Sequence, residues 1–230
     1  MVETIDRYDE KMLAIINGPF NHRQTRETWS CIDRDGNYIP WYTFPAIEYL
    51  NDLDLSDKTA FEYGSGFSSL YWAKRAKHVL SVERDPVWIE KTRGLTADNQ
   101  EILLRPDQDA YVSEISRHGP FDIIIIDGDW RLDCADIAVT KLKPGGVVIL
   151  DNSDWYVKAA ARLHGEGYLQ VDMKGLGPIN PYCWCTSFFF DRAFNFQKRH
   201  QFQPTHGLGA RDVFAQEEWP EGMPTPAAQR

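Results

Sequence analysis

From Lys58 onward the chain alternates short apolar runs with stretches of helical periodicity, and this rhythm restricts the fold more than any other feature. Strands are expected at 59–63 (TAFEY), 78–83 (HVLSVE), 101–105 (EILLR), 121–127 (FDIIIID) and 146–151 (GVVILD). Helices are expected between them, at 67–77, 86–97, 108–118 and 131–142. Strands separated by helix-length connections pair in parallel, because only a crossover returns the chain to the same sheet edge. The run Ile123–Ile126 is apolar on both faces, as a central parallel strand requires. A further helix at 155–164 precedes two strands, 167–174 and 183–190, with only a Gly- and Pro-rich connection between them. No crossover fits there, so this last pair should be an antiparallel hairpin at the sheet edge. The fold class is therefore α/β, a doubly wound, mostly parallel sheet of seven strands.

Around this core the sequence divides into three parts. Residues 1–57 form a helical and loop-rich lead-in, 58–202 the α/β domain, and 203–230 an extended tail. In the lead-in, Ile5, Tyr8, Met12 and Ile15 are spaced like one helix face, and a short helix from Phe44 to Leu53 opens at Pro45. The tail holds four prolines and three glycines in 28 residues, with Phe214 and Trp219 as docking candidates.

Composition excludes several classes. At 43% hydrophobic and 26% charged residues, the chain is not a disordered one. It has no apolar stretch long enough to span a membrane and no visible secretory signal. Its net charge of −9 repels phosphate backbones and argues against nucleic acid as a partner. The cysteines, Cys31, Cys134, Cys183 and Cys185, are expected to stay reduced in a cytoplasmic protein, with Cys183 and Cys185 on one buried strand face. A homo-oligomer is compatible with all of this.

The chemistry concentrates at strand ends. Glu62-Tyr63-Gly64-Ser65-Gly66-Phe67-Ser68-Ser69 leaves the first strand and opens a helix. Its glycines permit a tight turn and close backbone approach to a ligand, and the helix N-terminus favours an anionic group. Ser68 and Ser69 are candidate donors to a carboxylate. Glu83 ends the second strand about 20 residues later, where doubly wound nucleotide sites place a ribose-binding acid. A dinucleotide fingerprint would need a third glycine where Ser69 stands, which disfavours an NAD-dependent oxidoreductase.

The pattern E-x-G-x-G-x-S resembles motif I of the class I S-adenosylmethionine-dependent methyltransferases, and Leu142-Lys-Pro-Gly-Gly-Val-Val-Ile-Leu-Asp151 resembles that family's approach into its fifth strand. The resemblance covers roughly 58–191 and implies a Rossmann-like methyltransferase fold. It also implies S-adenosylmethionine as cofactor. Glu62, Gly64, Ser65, Gly66, Ser68 and Ser69 would then belong to the cofactor loop, and Glu83 would bind the ribose. Asp107 or Asp109 would flank the adenine, and the sequence does not choose between them. Asp127 would border the same site.

Asp127-Gly128-Asp129 and Asp151-Asn152 also resemble the metal motif of catechol- and caffeoyl-CoA-type O-methyltransferases. That likeness implies Mg²⁺ or Ca²⁺ held by Asp127, Asp151 and Asn152, three oxygen donors at neighbouring strand ends. The match is imperfect. Trp130 stands where those enzymes carry a lysine or histidine, and the adjacent Arg131 is a poor base because it stays protonated. Asp127, Asp129 and Arg131 are the catalytic candidates, with the base unidentified.

The acceptor pocket is expected from Trp41 and Tyr42 of the lead-in, Trp130 and Tyr182. The lead-in aromatics serve equally as a cap on the sheet. Such a lining suits a small-molecule acceptor offering oxygen or nitrogen. The competing reading is a methyltransferase-like module that holds the nucleotide without catalysis.

Overall fold

The five apolar runs lie side by side in one seven-stranded sheet of order β3-β2-β1-β4-β5-β7-β6 in the computed structural model, which describes residues 6–92 and 94–211. The strands are β1 (Thr59–Tyr63), β2 (His78–Glu83), β3 (Gln100–Leu104), β4 (Phe121–Ile126), β5 (Leu142–Leu150), β6 (Leu169–Gly175) and β7 (Trp184–Phe190). The first five are parallel, and β7 runs antiparallel to both β5 and β6. The order reverses between β1 and β4, and ligands of open α/β sheets bind at the carboxyl ends of strands at such a switch point.

Four crossover helices separate the parallel strands: α4 (Phe67–Arg75), α5 (Pro86–Thr92), α6 (Gln108–Ser113) and α7 (Arg131–Ala138). α6 tightens into a 3₁₀ turn over Glu114–Arg117, and α8 (Val157–His164) precedes β6. The lead-in supplies α1 (Arg7–Asn17), α2 (His22–Thr28) and α3 (Phe44–Asn51).

Alternation along the strands divides the core in two. Ala60, Ile123, Ile125, Val147, Ile149 and Phe188 face the lead-in and α4. Phe61, Tyr63, Ile124, Ile126, Val148 and Phe189 face α6, α7 and α8. All four residues of Ile123–Ile126 are buried, since β4 is covered on both sides. At the amino ends of the strands, Asp122 accepts from the Thr59 backbone and hydroxyl and from Lys143, each at 2.8 Å, tying β1, β4 and β5 together.

Several expectations need correction. β5 starts at Leu142, four residues early, because Lys143-Pro-Gly-Gly146 is absorbed in a bulge where the register passes from Phe121↔Leu142 to Ile123↔Val147. α1 forms, capped by Asp6, but buries none of its residues; Tyr8 and Met12 are exposed and the stripe is not a core face. Ile5 lies outside the described residues. Cys185 is buried but Cys183 is exposed, because β7 begins after it and strand alternation does not reach it. The start of the tail docks on the lead-in, with Thr205 donating to Asp52 at 3.0 Å and the Leu208 amide to Glu48 at 2.8 Å. Phe214 and Trp219 lie outside the described residues. Among the described residues, no helix is long and apolar enough to cross a membrane.

Candidate functional site

The turns leaving β1, β2, β4 and β5 surround a cavity of about 730 Å³ at the carboxyl edge of the sheet, within the usual range for small-ligand sites. Its floor depends on two glycines. Gly64 has φ +102°, and a Cβ there would lie 2.7 Å from the Asp127 carbonyl oxygen. A Cβ on Gly128 would fall 2.1 Å from the Tyr111 hydroxyl and 3.0 Å from the Gly64 backbone. The ends of β1 and β4 therefore approach as closely as they do only because both residues lack side chains.

Glu62 holds the loop from behind. It is fully buried at the end of β1. Its carboxylate accepts from Ser68 Oγ at 2.5 Å, Ser69 Oγ at 2.5 Å and Ser81 Oγ at 2.7 Å. Ser69 Oγ in turn accepts from the Gly66 amide at 3.1 Å. Burial pushes the Glu62 carboxyl up to about 7, against the three hydroxyls that favour its charged form. Glu62 and Ser69 thus shape the loop from outside the cavity, whereas Gly64, Ser65, Gly66 and Ser68 line it.

Glu83, at the end of β2, also lines the cavity and is buried. Its Oε2 accepts from the Ser65 amide at 2.8 Å and the Ser65 hydroxyl at 3.2 Å, and its Oε1 from the Asp85 amide at 2.7 Å. Burial raises its pKa above the ordinary carboxylate value. The loop amides and the Ser65 hydroxyl thus hold the Glu83 carboxylate in place at the cavity wall.

Asp127, Asp129, Arg131, Asp151 and Asn152 line the opposite side. Arg131 Nη2 donates to Asp127 Oδ1 at 3.2 Å, and Nη1 donates to Asn152 Oδ1 at 3.2 Å and to the Asp151 carbonyl oxygen. Nε donates to the Gly128 carbonyl at 2.8 Å. The Asp151 carboxylate turns to β7 instead, its Oδ1 accepting from Thr186 Oγ1 at 2.5 Å and Trp184 Nε1 at 3.0 Å. Burial raises the pKa of Asp127 to about 6, with Arg131 opposing, and raises that of Asp151, with Asp127 adding to the effect.

This arrangement does not fit the divalent cation implied by the metal motif. A guanidinium, not a gap, lies among Asp127, Asp151 and Asn152, and a hard cation needs their free oxygens. No three His, Cys, Asp or Glu side chains converge as a metal site among the described residues.

Other expected residues lie elsewhere. Tyr42 is fully buried beneath the cavity, its hydroxyl accepting from Trp72 Nε1 at 3.5 Å; the bend at Trp41 and Tyr42 turns it into the core. Trp130 packs edge-on to Tyr111 outside the cavity, because a left-handed backbone at φ 47° swings its ring away. Asp107 caps α6 by accepting from the Ala110 amide, and neither it nor Asp109 lines the cavity. Trp41 and Tyr182 do line it, together with Trp155 and Trp184. Sequence reasoning missed Trp88 and Asn180. Trp88 had a signal, two residues into the helix that follows Glu83, while Asn180 had none.

No protein-family model matches the chain, and no curated protein matches it. Solved structures do. The chain is similar to precorrin-6y C5,15-methyltransferase from Geobacter metallireducens GS-15, at TM-score 0.52 and 15% identity over 64% of this chain and 87% of that one. It is also similar to cofactor-bound Rv0187 from MTB, at TM-score 0.53 and 19% identity over 85% of this chain and all of that one. At these identities the likeness concerns architecture: the sheet and its flanking helices form a Rossmann-like fold of the methyltransferase type.

Proposed function

We propose that the protein is an S-adenosylmethionine-dependent methyltransferase acting on a small molecule through an oxygen or nitrogen. The observation that carries this reading is one cavity in which the glycine loop Gly64–Gly66 and the buried Glu83 carboxylate are joined through the Ser65 amide. A methyltransferase among the structural neighbours supports it.

The residues present fit the cofactor. Gly64 and Gly66 let a ligand approach the backbone, Ser68 offers a hydroxyl, and Glu83 sets a carboxylate at the cavity wall at the end of β2, where doubly wound nucleotide sites place a ribose-binding acid. When bound, S-adenosylmethionine supplies an electrophilic methyl group carried on a sulfonium. What the chain contributes is position. The aromatic rings of Trp41, Tyr182 and Trp184 wall the space beside Asp127 and restrict how an acceptor enters. Holding an acceptor in line at about 3–3.5 Å accounts for most of the acceleration expected of such a site. Asp127, with its pKa near 6, is the cavity group suited to receive a proton from the acceptor near neutral pH.

The acceptor is small rather than polymeric. The cavity is lined by Glu83, Asp85, Asp127, Asp129 and Asp151 against Arg84 and Arg131, an excess of negative charge that repels phosphates. Calorimetry with S-adenosylhomocysteine and NAD tests the reading: the first should bind and the second should not. Methyl transfer from labelled cofactor to a pooled metabolite extract then separates an enzyme from a module that binds without turnover. NAD binding without S-adenosylhomocysteine binding would overturn the proposal.

A further inference from the structure

β4 and β5 are paired to their last residues, Ile126 against Leu150, so Asp127 and Asp151-Asn152 emerge side by side. Into this gap projects Arg131, the first residue of α7, with only 8% of its side chain exposed. Its guanidinium meets Asp127 through the carboxylate, Asn152 through the side-chain oxygen and Asp151 through the main-chain oxygen. The Nε bond to Gly128 fixes its plane, and the Tyr156 ring lies 4.3 Å from its central carbon. Four of the five N–H donors thus have partners, and the flat face has a fourth wall.

We infer that Arg131 is a built-in cation, holding the ends of β4 and β5 where a divalent metal would otherwise sit, so that the site works without one. This rests on the methyltransferase reading only for its catalytic meaning, since the arrangement itself is independent of the cofactor. Three features carry the argument. Asp127 Oδ1 and Asn152 Oδ1 already accept from the guanidinium. The Asp151 carboxylate is drawn off toward Thr186 and Trp184 on β7. A permanent positive charge in the gap repels a second cation, because arginine does not deprotonate in proteins. The guanidinium also counteracts the burial that raises the pKa of both carboxylates. In this arrangement Arg131 is a positioning residue: it sets the spacing of the strand ends beside the cavity that it lines.

Mn²⁺ serves as the probe, followed by paramagnetic resonance and by calorimetry on the full chain. The wild-type protein should bind no Mn²⁺ in the cavity, and EDTA or Mg²⁺ should leave its melting temperature unchanged. Arg131→Ala frees the oxygens and should gain one Mn²⁺ site in the range of roughly 0.1–1 mM, typical of weak oxygen-ligand sites. That gain should disappear in the double variant Arg131→Ala, Asp127→Asn, which removes the carboxylate that the guanidinium had occupied. One equivalent of Mn²⁺ bound by the wild type and lost in Asp127→Asn would overturn the inference. So would a folded Arg131→Ala that gains no site. If Arg131→Ala does not fold, the wild-type titration and melting temperature decide alone. S-adenosylhomocysteine calorimetry on the same preparation reports separately on the methyltransferase reading, so failure of one is not mistaken for failure of the other.

Discussion

Replacing Glu62 with glutamine keeps the size of the side chain and removes its ability to ionise. In the folded protein this carboxyl is fully buried, and its pKa stands at about 7 against an ordinary 4.5. A raised acid pKa means that the folded state holds its proton more tightly than the unfolded chain. The stability this gives is complete below pH 4.5 and is lost as the pH rises through about 7. At about 1.4 kcal/mol per pH unit, the full difference is about 3 kcal/mol. Urea unfolding of wild type and Glu62→Gln, followed by tryptophan fluorescence between pH 5 and 8, isolates this contribution because other titrations cancel in the comparison. The wild type should lose about 2–3 kcal/mol relative to the variant across that interval. Glutamine can still accept from two of the three serines and donate to the third, so the folded variant should bind S-adenosylhomocysteine within about threefold of wild type. Glu62→Ala instead leaves the Ser68, Ser69 and Ser81 hydroxyls without their acceptor, at a cost of about 3–5 kcal/mol. Parallel pH curves for wild type and Glu62→Gln would refute the titration argument. A well-folded Glu62→Gln with no binding would show that Glu62 touches the ligand rather than shaping the loop.

Glu83→Ala should weaken S-adenosylhomocysteine binding by about 1.5–3 kcal/mol in calorimetry, the scale of charge-assisted hydrogen bonds, and unchanged affinity would remove Glu83 from the ribose role. Gly64→Ala places a Cβ 2.7 Å from a carbonyl oxygen at φ +102°, so thermal melting should show a loss of at least about 2 kcal/mol. An unaltered melting temperature would show that the strand ends do not approach so closely. Trp41→Ala should raise the acceptor KM several-fold without changing cofactor affinity, whereas Trp130→Ala, outside the cavity, should leave KM alone. Equal effects of the two would misplace the acceptor wall.

The doubly wound sheet was legible because its signals are local. The Ile123–Ile126 run carries its own two-sided burial, the helix-length spacings between runs dictate parallel pairing, and the absence of a crossover before β7 dictates an antiparallel edge. Gly64, Gly66 and Glu83 were legible for a related reason, since strand ends and the turns after them follow directly from the strand assignment. What sequence could not show is where a side chain points once its backbone leaves regular structure. Trp130 and Asn152 both adopt left-handed backbone after their strands. That single local choice carries the Trp130 ring out of the cavity and places Arg131 between Asp127 and Asn152. Tyr42 failed for another reason: it neighbours a lining residue, yet the bend it sits in turns its ring into the core. Asn180 reaches the cavity from the connection between β6 and β7, a contact that only the folded sheet brings about.

The pairing of Asp151 with Thr186 and Trp184 also orders events during synthesis. The carboxylate and its two donors are separated by more than thirty residues, and the donors belong to the last strand to leave the ribosome. A nascent chain already long enough to pair β1 through β5 still has Asp151 at a closing strand end with no donor for its carboxylate. Burying an unpartnered carboxyl is costly, so this corner of the sheet should stay open until β7 inserts beside β5. Vectorial growth thereby makes the Asp151 side of the cavity the last of its walls to mature, after the glycine loop and Glu83 are in place. A chain stalled or cleaved before Trp184 would carry the glycine loop without a finished cavity beside it.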